Sequence, residues 1–106
     1  MDIQQIMQQA QVMQRKMEQM QAKLGEMEVE GAAGGGLVTI TMTCKGSVEN
    51  VRIAPSVVDP SDVEMLEDLI KAAFNDAKAK ADQTLAEETQ RMMAEMGLPS
   101  NFQLPF

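Results

Sequence analysis

Side chains able to carry acid–base, nucleophilic or metal chemistry are scarce in this chain. It contains no histidine, so nothing ordinary titrates near neutral pH to serve as a general base or as an imidazole ligand. Its one cysteine, Cys44, excludes both an intrachain disulfide and a multi-cysteine zinc site, and points to a reducing compartment. Cys44 shares a strand face with Ile40 and Met42, and no histidine or helix N-terminus can be argued to activate it. It therefore reads as a small buried hydrophobe rather than a sensor thiol. The run Gly31-Ala32-Ala33-Gly34-Gly35-Gly36 lacks the Lys-Ser/Thr ending of a phosphate-binding P-loop and is expected to be a flexible connection in which no regular element persists. The expectation is a protein that is not an enzyme, with no cofactor, no metal and no small-molecule substrate.

What remains is charge. Nine Lys and Arg against sixteen Asp and Glu give −7 over 106 residues, the wrong sign for a simple polyanion binder. The acid is concentrated: residues 59–70 alone carry −5, residues 71–93 balance at zero, and residues 1–25 carry +1 through Arg15, Lys16 and Lys23. Asp59, Asp62, Glu64, Glu67 and Asp68 fall in the opening turns of a second helix, where negative charge complements the positive end of the macrodipole. Within that helix Lys78 and Lys80 have Asp82 and Asp76 at i,i+4 spacing, which by itself describes a solvated, paired face.

The elements that position these groups follow from periodicity. Ile3, Ile6, Ala10, Met13, Met17, Met20, Leu24 and Met27 recur at steps of three and four, predicting a helix over 1–27 whose heptad seam is to be buried against another helix. The seam methionines Met13, Met17, Met20 and Met27 fit that role, since Met fills irregular packing gaps. Val38, Ile40, Met42 and Cys44 alternate with Thr39, Thr41 and Thr43, predicting a strand with one solvated threonine face. Lys45-Gly46-Ser47 offers a turn into a returning strand through Val51 and Ile53, while Glu26 to Glu30 frays or forms a short extended piece; the sheet region spans 28–54. Asp59-Pro60-Ser61-Asp62 then reads as a helix start with Asp59 as cap and Pro60 at the first helical position. A helical region over 60–96 follows, its stripe running through Val63, Leu66, Ile70, Ala73, Phe74, Ala77, Ala81, Leu85 and Met92. Gly97 and Pro99 stop it, and an irregular tail over 97–106 carries Phe102, Leu104 and Phe106. One domain covers 1–106, small enough that help from a second subunit is expected. The N-terminus shows neither a basic n-region nor an apolar h-region, and no run is long enough to span a bilayer. The expected setting is the cytoplasm, without membrane contact.

These residues resemble the YbaB/EbfC family of bacterial nucleoid-associated proteins along almost the whole chain. The resemblance is carried by Asp59-Pro60-Ser61-Asp62-Val63-Glu64-Met65-Leu66-Glu67-Asp68-Leu69-Ile70, by Ala72-Ala73-Phe74-Asn75-Asp76-Ala77, by Gln9 to Met17, by Gly34-Gly35-Gly36-Leu37-Val38, and by the final Leu104-Pro105-Phe106. It implies an α+β fold: an α-β-β-β-α protomer whose small antiparallel sheet is flanked by long N- and C-terminal helices, two protomers forming a tweezer-like homodimer that contacts double-stranded DNA in the nucleoid. It further implies that the DNA-contacting residues are Arg15, Lys16 and Lys23 on the first helix and Lys78, Lys80 and Arg91 on the last. Lysines common in the family are replaced here by Gln8, Thr39 and Gln103, which implies weaker binding at physiological salt.

Two functional classes follow. One is a dimeric nucleoid protein reading DNA backbone and shape, since the chain has no Tyr or Trp to stack and no recognisable helix-turn-helix or zinc finger. Such a protein would serve nucleoid organisation and gene regulation. The other is a dimeric helical adaptor or holdase-like module that grips protein, which accounts for the acid balance and the methionines without nucleic acid.

Overall fold

The computed structural model describes residues 2–97. The elements run α1 (Ile3–Glu26), β1 (Glu28–Ala33), β2 (Val38–Thr43), β3 (Val48–Ile53), a short 3-10 turn at Pro55–Val57, and α2 (Val63–Glu95). The three strands form one antiparallel sheet in the order β1-β2-β3. The α-β-β-β-α protomer is therefore observed. At about 1.5 Å per residue the two helices span roughly 36 and 50 Å, and the molecule measures 70 × 22 × 16 Å. Such proportions describe a rod with a small sheet near one end, from which the helices project.

The sheet presents Val38, Ile40 and Met42 to α2, which meets them with Ala73, Ala77 and Ala81. Alanine allows the helix to lie almost on the strands, and this explains the glycine at position 31. A Cβ there would collide with the Ala73 carbonyl and with the Ala77 amide and methyl. The expectation of a structureless link over Gly31–Gly36 is thus corrected: Gly31, Ala32 and Ala33 complete β1 in register with Ile40, Thr39 and Val38. The turn is confined to residues 34–37, and its three glycines each take positive φ (65°, 70° and 99°), which glycine adopts without strain. The partial expectation of extended backbone before Gly31 becomes a full third strand. Its outer edge is blunted by α2, since the Asp76 carboxylate accepts from the Ala32 N–H (3.0 Å) and Lys80 Nζ donates to the Glu30 carbonyl (2.8 Å). Unpaired strand edges invite pairing with other chains, and these two bonds occupy this one.

A second cluster joins Met20 and Leu24 of α1 to Met92 of α2, with Cys44 beneath them. Cys44 is buried, as expected, but β2 ends at Thr43. The Cys44 amide is drawn to the Leu24 and Met27 carbonyls (3.2 and 2.9 Å), so the thiol sits under the helix pair rather than beside Ile40 and Met42. The threonine face is half-covered at Thr39 and Thr41 and buried at Thr43, whose hydroxyl accepts from the Ser47 N–H. At β3 a one-residue bulge at Glu49 shifts the register between Thr41↔Asn50 and Met42↔Val48.

Two further expectations change. The α2 cap is Asp62, whose carboxylate accepts from the Met65 N–H, whereas Asp59 closes a turn by accepting from the Ser61 N–H and hydroxyl. Those bonds hold the Asp59 carboxyl below its ordinary range. The α1 seam is buried only in its second half: Met20 and Leu24 are covered, but Ile3 and Ile6 stand exposed, because α2 stops beside Lys16. On α2 the stripe is buried at Ala73, Ala77, Ala81 and Met92 and exposed at Val63 and Phe74. The tail residues 98–106 lie outside the described residues.

Candidate nucleic-acid interface

Cations on an amphipathic helix serve phosphate recognition only if their charge is uncompensated and turned outward, so the partners of each cation decide what the arms can do. The α1 and α2 arms come together where Met20 packs on Met92, and helical spacing then places Lys16 and Lys23 of α1 along the same seam as Glu88, Arg91 and Glu95 of α2. These side chains line a cleft of about 140 Å³. Lys23 reaches Glu88 at 3.0 Å, Arg91 reaches the other Glu88 oxygen at 3.0 Å, and Lys16 meets Glu95 at 3.4 Å. The Glu88 side chain is 10% exposed while Lys23 and Arg91 are more than half exposed, so the carboxylate is the fixed point and the cations close over it. One buried acid thereby bolts α1 to α2. Glu88 falls within the apolar stripe, three residues after Leu85 and four before Met92, but as a charged residue it was passed over there, and its partner Lys23 is 65 residues away.

Lys78 and Lys80 are paired as their spacing suggested, Lys78 with Asp82 at 3.0 Å and Lys80 with Asp76 at 3.2 Å. The Asp76 carboxyl is held below its ordinary range, first by the Ala32 amide and then by Lys80. Lys80 is thus a strand-edge residue, committed to Glu30 and Asp76. Of the six candidate cations, Lys16, Lys23 and Arg91 are brought together at the arm junction, Lys78 and Lys80 lie on α2 over the sheet, and Arg15 stands on α1. Among the described residues, no carboxylate forms an ion pair with Arg15, Lys45, Arg52 or Lys71. Three of these four were not anticipated. Lys45 belongs to the β2–β3 turn, yet its stem lies against Gly25 of α1, where an added Cβ would meet it at 3.2 Å. Arg52 is paired across the strands with Thr39. Nothing in the local sequence separated them from other surface cations, because the signal is the absence of a carboxylate brought near by the fold.

The face of α1 turned away from α2 carries Arg15 among Gln4, Gln8, Gln11 and Gln14, all exposed. Glutamine side chains add donors and acceptors without adding charge. Arginine adds a planar fork suited to phosphate oxygens. No described helix is long and apolar enough to cross a membrane.

A sequence model of the YbaB/EbfC DNA-binding family matches residues 1–96. A nucleoid-associated protein of Granulibacter bethesdensis is 50% identical over 101 residues, covering 95% of this chain and 94% of its own length. A nucleoid-associated protein of Brucella anthropi is 47% identical over 105 residues, covering 99% of this chain and 98% of its own. Among solved structures, an uncharacterized protein from Helicobacter pylori superposes with a TM-score of 0.79 at 20% identity, covering 88% of this chain and 98% of that one; the likeness is one of fold.

Proposed function

Because the chain belongs to the YbaB/EbfC DNA-binding family, we propose that it binds double-stranded DNA as a homodimer through backbone and duplex shape, acting in the cytoplasmic nucleoid in its organisation and in gene regulation. The observation that supports this best is the separation of charge along the rod. The acidic block ends at Asp68, and the arm junction ends at Glu95, 27 residues further along one continuous helix. At 1.5 Å per residue that is about 40 Å, four times the screening length of about 10 Å at 0.1 M salt. The −5 of that block is therefore screened from phosphate at the arms. Arg15 offers uncompensated charge there, while Lys16, Lys23 and Arg91 reach phosphate only by leaving Glu95 and Glu88.

Dimerisation is supported by apolar surface that one protomer leaves bare. The helix α2 packs on β1 and β2, and on the same side of the sheet Val48 and Val51 of β3 remain exposed, as does Phe74. A second protomer covering that flank would bury them. Analytical ultracentrifugation at micromolar concentration should show a dimer, and Val51→Asp should dissociate it.

The adaptor reading has one observation in its favour: five of the six candidate cations already hold carboxylates. A fluorescence-anisotropy titration with random-sequence duplex DNA across a salt series separates the two. DNA binding predicts tight association at low salt, a steep fall toward physiological salt, and a slope lowered by about 0.9 for each Arg15 contact removed by Arg15→Ala. A wild-type protein that shows no association even at low salt makes the protein-gripping adaptor the better account.

A further inference from the structure

The first half of α1 projects past the end of α2. The second helix stops beside Lys16, and from there back to Ile3 the first helix continues alone for about 20 Å at 1.5 Å per residue. A lone helix shorter than about 12–15 residues is marginal in water. Between Ile3 and Gln14 there is no charged side chain, so no i,i+4 ion pair supports it. It nevertheless carries an apolar stripe. Ile3, Ile6 and Met7 are 72%, 49% and 57% exposed, and with Ala10 and Met13 they continue the seam that buries Met20 and Leu24 against α2. Beside Met96 the stripe opens into a groove of about 900 Å³.

We propose that this stripe pairs with the same stripe of a second copy of the chain, the two helices antiparallel and overlapping about a two-fold axis at the level of Gln8. In that register Ile3 of each copy faces Met13 of the other, and Ile6 faces Ala10. Every layer joins one core position of the heptad to the other, and the small Ala10 always meets a branched isoleucine. Parallel pairing would set Ala10 on Ala10 and leave that layer thin.

Charge selects the same arrangement. Asp2 and Lys16 bracket the uncharged stretch, and each immediately precedes a seam residue, Ile3 or Met17, so both stand on one flank of the seam. In the antiparallel overlap Asp2 of one copy comes level with Gln14 of the other, about 3 Å along the axis from Lys16. Opposite charges then meet at both ends of the contact, whereas parallel pairing would set Asp2 on Asp2 and Lys16 on Lys16. On the same flank Gln9 meets Gln9, and an amide that both donates and accepts complements itself. A chain carrying −7 meets its own copy with least repulsion where it carries no charge.

The contact also prolongs one already formed. Lys16 pairs with Glu95 and Lys23 with Glu88, so α2 runs antiparallel to α1 and leaves the seam at its own C-terminal end. A second α1 enters the seam there, running in the direction of α2, and its N-terminal end follows the C-terminal end of α2 as the macrodipoles favour. Three turns of helix make a contact at the small end of specific interfaces, below about 1,200 Å². Tip pairing is therefore concentration-dependent. It needs neither DNA nor the sheet-flank dimer, and combined with that dimer it links one dimer to the next.

The test is a cross-link between full chains without DNA. With Cys44→Ala removing the native thiol, Ile6→Cys and Ala10→Cys are made as two separate proteins, one lengthened by a tag, then mixed at high concentration in a glutathione redox buffer. The expected main product on a non-reducing gel is the mixed disulfide, of intermediate size, in several-fold excess over the share that random collision gives. Ala10→Cys linked chiefly to itself means parallel pairing, and no cross-link at all means that the groove is filled from within its own chain or by a different partner; either overturns the proposal. Sedimentation equilibrium supplies a readout without added cysteines. The wild type should gain mass as its concentration rises, and Ile6→Glu, at an exposed position, should lose that gain while its circular dichroism is unchanged. Identical mass curves for the two proteins likewise overturn it. The sheet-flank contact is read separately: Val51→Asp should lower the mass found at low concentration and leave the mixed cross-link in place.

Discussion

Replacing Glu88 with Gln should weaken the fold and strengthen the grip on DNA at once. Glu88 is the one buried carboxylate at the junction of the arms, and it holds Lys23 of α1 and Arg91 of α2, each at 3.0 Å. Removing one member of a fully buried ion pair costs about 3–5 kcal/mol, because the partner is left charged and unpaired. Here the partners are more than half exposed and can turn to water, so the loss approaches that of one or two charge-assisted hydrogen bonds, about 1–2 kcal/mol. The same change frees two cations per protomer. If both then meet phosphate, the slope of log affinity against log salt steepens by about 1.8 per protomer, 0.9 for each contact. Urea denaturation measures the first effect and anisotropy with random duplex DNA across a salt series the second. Loss of stability without any gain in affinity or slope would show that Lys23 and Arg91 do not face DNA. Unaltered stability would show that the carboxylate does not bolt the helices together.

The sheet and its edge give three further expectations. Gly31→Ala should destabilise the protein by about 3 kcal/mol or more, because its methyl meets α2's backbone rather than a movable side chain, whereas Gly35→Ala, open in space but at φ 70°, should cost only about 1–2 kcal/mol; thermal denaturation of both decides this. Asp76 is held below its ordinary value of 3.8 in the folded state, so its contribution is complete above that value and is lost as pH falls through the folded one. The gap in urea midpoint between wild type and Asp76→Asn should therefore stay constant from pH 7 to 5 and close only below about pH 4. Cys44→Ala should leave dimer mass and DNA affinity unchanged and cost no more than about 2 kcal/mol, and loss of binding on mild oxidation of the wild type alone would contradict a purely structural thiol.

The elements were legible where a single period governed them. The strand through Val38, Ile40 and Met42 and the long second helix follow from alternation and from three-four spacing, and the structure has both. What failed were positions whose meaning depends on a distant element. Gly31 looks like linker in sequence because the reason for a glycine there, the passage of Ala73 and Ala77, lies over forty residues away. Asp59 and Asp62 offer nearly equivalent capping chemistry three residues apart, and the choice of Asp62 rests on where α2 must begin to lie on the sheet. The α1 seam was legible as apolar but not as half-covered, because periodicity reports that a face is to be buried without stating the length of its partner.

The cations show the same limit at the level of function. Local spacing identified two of the three pairs within α2, Lys78–Asp82 and Lys80–Asp76, and both form. It gave no sign of Lys16–Glu95 or Lys23–Glu88, which span 79 and 65 residues and exist only because the two helices meet. A count of basic residues on the arms therefore overstates the charge available to phosphate. Half-exposed pairs of this kind contribute little to stability and dissociate at small cost, except where the acid is buried as at Glu88. The arms thus hold two classes of cation: Arg15, ready without rearrangement, and the junction group, released only when the carboxylates let go. On the proposed reading, phosphate would have to compete with Glu88 and Glu95 for the second class, which would couple engagement of Lys16, Lys23 and Arg91 to loosening of the α1–α2 junction. If the arms bind DNA as proposed, binding is an exchange of ion pairs, and its strength would then be set as much by the acids on α2 as by the lysines and arginines opposite them.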